Sequence, residues 1–101
     1  MAAKHEEVPG PYNLVERFET ALEHHADRQL FGTKNAAGDG YDWVTYREVG
    51  QRVDNLRAGL VQLGVGRGDT VAFISNNSVE WAVACYATYG LGARFVPMYE
   101  A

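Results

Sequence analysis

An α/β fold organised around a parallel sheet is predicted by three features of this sequence. Two β-prone runs, Thr70 to Ser75 and Arg94 to Tyr99, flank an apolar helical stretch from about Val79 to Gly90, which is the strand, crossover helix, strand order of a βαβ unit. Both runs are apolar on successive residues, as strands covered on both faces require. Gly90 and Gly92 end the helical stretch and turn the chain into the second run. One helix covers only one face of two strands, so the pattern anticipates further layers and predicts an incomplete domain.

Composition narrows the class. The chain has 101 residues, a formal net charge of -4, 47% hydrophobic and 22% charged residues, which is ordinary for a folded α/β chain and gives no electrostatic reason to expect nucleic acid as a partner. A single cysteine, Cys85, leaves no internal disulfide framework and fits a reducing compartment. No stretch of about 20 apolar residues is present, so no transmembrane segment is predicted. The opening Met-Ala-Ala-Lys-His-Glu-Glu lacks an apolar signal core, and the expected location is cytoplasmic.

Residues 1 to 12, with Pro9, Gly10 and Pro11, read as a flexible lead-in. Asn13 followed by Glu16 marks a helix start, and Leu14, Val15, Phe18, Ala21, Leu22 and His25 repeat at helical spacing, so residues 14 to 25 predict an amphipathic helix. His24 and His25 are neighbours about 100° apart on that helix, with no third ligand near in sequence, which argues against a metal pair. Leu30 to Lys34 and Tyr41 to Thr45 predict a hairpin around Asn35-Ala-Ala-Gly-Asp-Gly40, with Tyr41 and Trp43 on one face covering a core edge. Cofactor stacking by Trp43 is the less economical reading, because large aromatics mostly serve packing.

Thr45 and Glu48 form a capping box for a helix over residues 46 to 63, with Tyr46, Val49, Val53, Leu56, Leu60 and Leu63 as its apolar stripe and Gly64 as its left-handed stop. Arg47, Arg52, Asp54, Arg57 and Gln62 form its wet side, and Glu48 is spaced to pair with Arg52. Gly64-Val-Gly-Arg-Gly-Asp69 is glycine-rich like a phosphate loop. It lies before a strand, however, whereas such a loop lies between a strand and the following helix, so it reads as a tight turn. The segment in the right place, Ser75-Asn-Asn-Ser78, has no glycine for close phosphate approach, and Asn77 with Glu80 reads as a helix cap. The following helix is apolar nearly all round and predicts burial, with Cys85 an inert packing residue rather than a nucleophile. Pro97 cannot donate to a ladder, which places a strand end or sheet edge there.

Four segments, Trp43-Val-Thr-Tyr-Arg-Glu48, Leu60 to Ser75, Asn77-Ser-Val-Glu-Trp81 and Gly92-Ala-Arg-Phe-Val-Pro-Met-Tyr99, together resemble the N-terminal region of adenylate-forming, AMP-binding acyl-CoA synthetases. Asn13-Leu-Val, Phe31-Gly-Thr-Lys34 and the ending Val96 to Ala101 are most similar to long-chain fatty acid-CoA ligases. The resemblance implies that residues 13 to 101 are the first part of the large AMP-binding domain, truncated at its C-terminal end. It also implies ATP, Mg²⁺ and coenzyme A as cofactors of the parent enzyme, a fatty acid as substrate, and a location that is cytoplasmic or peripheral at a membrane. The family's phosphate loop, ribose-binding acid and lid lysine match nothing here. The resemblance therefore assigns no catalytic, cofactor-binding or metal residue to this chain, and the expected partner is the remainder of the synthetase. The alternatives are a free-standing acyl- or partner-binding module, or an adenylating enzyme for another carboxylic acid.

Overall fold

The computed structural model describes residues 13–76 and 78–98. The expectations placed on residues 1 to 12, Asn77 and Tyr99 to Ala101 lie outside them. Seven elements follow in order among the described residues: α1 (Leu14–His25), β1 (Gln29–Lys34), β2 (Tyr41–Thr45), α2 (Tyr46–Gln62), β3 (Thr70–Ile74), α3 (Val79–Tyr89) and β4 (Arg94–Met98).

Each helix begins where a side chain satisfies a free backbone N–H group. Asn13 Oδ1 accepts from Glu16 N at 2.8 Å. For α2, Thr45 Oγ1 accepts from Glu48 N at 3.2 Å and Glu48 Oε1 accepts from Thr45 N at 2.8 Å, closing the box in both directions. That use of Glu48 displaces the expected pair with Arg52, and no such ion pair forms among the described residues. For α3 the cap is Ser78, whose Oγ accepts from Trp81 N at 3.1 Å.

β1 and β2 pair antiparallel, with Phe31 opposite Val44 and Gly32 opposite Trp43. Asn35 holds the turn, its Oδ1 accepting from Gly38 N and Asp39 N. Phe31 and Val44 face inward onto the core, so the period of two turns Tyr41 and Trp43 outward. These two aromatics are 59% and 50% exposed, with ring centroids 6.1 Å apart, and Trp43 lies flat over Gly32, where a Cβ would meet its ring at 2.8 Å. They cover the outer face of the hairpin, not the core edge expected of them.

The core is the meeting of three helices: Phe18 of α1, Val49 and Val53 of α2, and Val83 and Ala87 of α3. Phe18 stacks on Tyr86 at 4.4 Å between centroids, and Gly50 is pressed against Leu22 so closely that a Cβ would sit 2.9 Å from Leu22 Cδ2. The stripe expected on α2 is only partly used. Val49 and Val53 are buried, whereas Leu63 at its end is 82% exposed and Leu56 also reaches solvent.

β3 and β4 are parallel, joined through α3, with Thr70 opposite Arg94 and Ile74 opposite Met98. They form a two-stranded sheet separate from the hairpin. Phe95 is held on the covered face by Trp81, edge-on at 5.4 Å, and by Phe73 at 6.1 Å. Burial alternates along β3, half-buried at Val71 and Phe73 and exposed at Thr70, Ala72 and Ile74. The opposite face of the sheet, with Ile74, Val96 and Met98, is open. Pro97 lies within β4, on a strand with one neighbour among the described residues, as an edge proline should.

Candidate functional site

Three places were marked by the sequence as possible chemistry, and the structure gives each a definite geometry. At the glycine turn, Gly64 and Gly68 take φ of 91° and 86°, conformations open to glycine at low cost. Asp69 closes it: its carboxylate accepts from Gly66 N at 2.7 Å and its own N–H donates to Gly66 O at 3.1 Å. A carboxylate thus occupies the amide that a phosphate would need. The turn also anchors β4, since Gly68 N donates to Gly92 O, Arg94 N to Asp69 O, and Arg94 Nη2 to Gly68 O.

The loop between β3 and α3 sits at the carboxyl end of a parallel strand, the usual location of ligand sites in α/β sheets. Ser75 Oγ donates to Asn76 O at 2.8 Å and lies 3.5 Å from Ser78 Oγ, which itself caps α3. Both hydroxyls are therefore engaged locally.

Cys85 is buried on α3, and burial pushes its thiol above the ordinary range, a pull that a hydrogen bond with Tyr89 partly opposes. Tyr86 is raised by burial and then by nearby Cys85, and Tyr89 is raised first by its hydrogen bond with Cys85. All three stay protonated at neutral pH, the opposite of an activated nucleophile. Among the described residues, no three His, Cys, Asp or Glu side chains gather as metal ligands. His25 packs against Tyr46, ring centroids 6.0 Å apart.

Sequence reasoning missed two features. The first is a concave cavity of about 1050 Å³ between the hairpin and α3, lined by Phe31, Val44, Val79, Trp81 and Tyr86, with Arg52 at its border. Trp81 Nε1 is buried with no hydrogen-bond partner among the described residues. The second is Arg57, assigned to the solvated side of α2. It is 20% exposed and donates from Nη2 to Tyr86 O at 3.0 Å and from Nε to Ala87 O at 3.3 Å, while Glu19 and Asp54 each lie 3.9 Å from Nη1. It satisfies carbonyls at the negative end of α3. The sole sequence hint was a glycine, Gly90, just past that helix.

A hairpin, a helical core and a βαβ unit whose parallel strand pair is covered on one face together define an α/β arrangement. The profile of the AMP-binding enzyme family matches residues 18–101, and the chain belongs to that family. Its sequence is 34% identical over 98 residues to the long-chain-fatty-acid–CoA ligase FadD15 of Mycobacterium bovis, covering 92% of this chain and 16% of that protein. Among solved structures, CmiS6 superposes with a TM-score of 0.78 at 28% identity, over 89% of this chain and 21% of its own. The anthranilate CoA ligase AuaEII, in complex with anthranoyl-AMP, gives 0.76 at 26% identity, over 95% of this chain and 17% of its own. The chain therefore spans about a sixth of the curated ligase it matches. No helix among the described residues is long and apolar enough to cross a membrane.

Proposed function

We propose that residues 13 to 101 form the first scaffold segment of the AMP-binding domain of an ATP-dependent long-chain fatty acid-CoA ligase, and that this segment carries no catalytic residue of its own. The observation that supports this reading best is similarity that runs nearly end to end, 34% identity over 92% of this chain against a long-chain ligase. In the complete enzyme a fatty carboxylate attacks the α-phosphate of ATP to give an acyl adenylate and pyrophosphate, and the thiolate of coenzyme A then displaces AMP. Mg²⁺ supplies charge neutralisation on the phosphates.

The residues present do not suit these groups. Asp69 places a carboxylate in the glycine turn, and Ser75 and Ser78 spend their hydroxyls on the chain itself. Their part is mechanical: the core of Phe18, Val49, Val53, Val83 and Ala87 fixes α3, and α3 fixes the β3–β4 pair on which the rest of the domain is laid. The remainder of the synthetase is the partner, and the location is cytoplasmic or peripheral at a membrane.

A second acid class has its own support, because AuaEII acts on an aryl acid and superposes on 95% of this chain. Reading the transcript past codon 101 tests the proposal. A downstream Ser/Thr/Gly-rich loop ending in Pro-Lys supports the ligase, and an immediate stop codon favours a free-standing module.

A further inference from the structure

We draw no further inference here: the strongest candidate, the apolar cavity between the β1–β2 hairpin and α3, carries nothing, because Asp42 and Glu80 in its lining offset the charges of Lys34 and Arg52 and nothing in the structure shows what covers it.

Discussion

The guanidinium of Arg57 lies directly over Gly90, in space that any side chain at that position would occupy. A Cβ built on Gly90 collides with Nε, Cζ and Nη2 of Arg57, and those same nitrogens hold Ala87 O and Tyr86 O. Gly90 itself has φ of -65°, an ordinary helical value, so its glycine is required by the arginine and not by the backbone.

That pairing predicts a strong non-additivity. Arg57→Ala should lower unfolding stability by about 2 kcal/mol through lost charged hydrogen bonds to part-buried carbonyls. Gly90→Ala should be destabilising by itself, about 1 to 2 kcal/mol, because it ejects the arginine. In the Arg57→Ala background, Gly90→Ala should be neutral or stabilising by a few tenths to about 1 kcal/mol, as helical glycine-to-alanine changes are. Urea titrations of the four proteins check this, and simple additivity would remove Arg57 from its assigned place.

Core burial gives a second expectation. Val53 is 2% exposed and touches the shared core of the three helices. Val53→Ala should cost about 2 kcal/mol by lost transfer energy and a residual cavity, whereas Leu63→Ala, on a side chain 82% exposed, should stay within about 0.5 kcal/mol. The same urea titrations read both.

The order and type of the elements were legible because each helix carries its own local start signal. Asn13, Thr45 and the polar residues before Val79 are recognisable without knowing what the helix packs on, and the helix bounds 14 to 25 came out as expected. The direction in which a residue faces was less legible. Arg57 reads as a solvated charge until α3 brings its C-terminal carbonyls alongside. Tyr41 and Trp43 share a face by alternation, yet only the burial of Phe31 and Val44 decides which face is outside. Leu56 and Leu63 belong to the heptad-like stripe by spacing, but the core formed with α1 and α3 takes up Val49, Val53 and part of Leu60 and leaves those two leucines in solvent.

Alkaline pH should weaken the fold in a defined window. Cys85, Tyr86 and Tyr89 all have folded pKa values raised above their unfolded ones, with burial leading for the first two and the Cys85 hydrogen bond for Tyr89. The unfolded chain therefore loses these protons first, and the stability they contribute is intact below the unfolded values and lost as pH rises through the folded ones. The melting temperature should hold steady to about pH 8, then fall, with the onset moved upward in Cys85→Ala. A midpoint that rises above pH 9 would contradict the buried, protonated thiol.

The two tryptophans should report separately. Trp43, half exposed on the hairpin, should account for most iodide-quenchable emission, and Trp81, edge-on to Phe95, should be shielded. Trp43→Phe should therefore remove most of the quenching while leaving a blue-shifted signal. Equal quenching of both single-tryptophan proteins would show that the sheet and α3 do not pack as described.

Palmitate-dependent pyrophosphate release from ATP and Mg²⁺ by the 101-residue chain tests the scaffold assignment most directly. The account predicts release no greater than in reactions without protein, at any palmitate concentration. Saturable release that depends on palmitate and on the folded chain would contradict it.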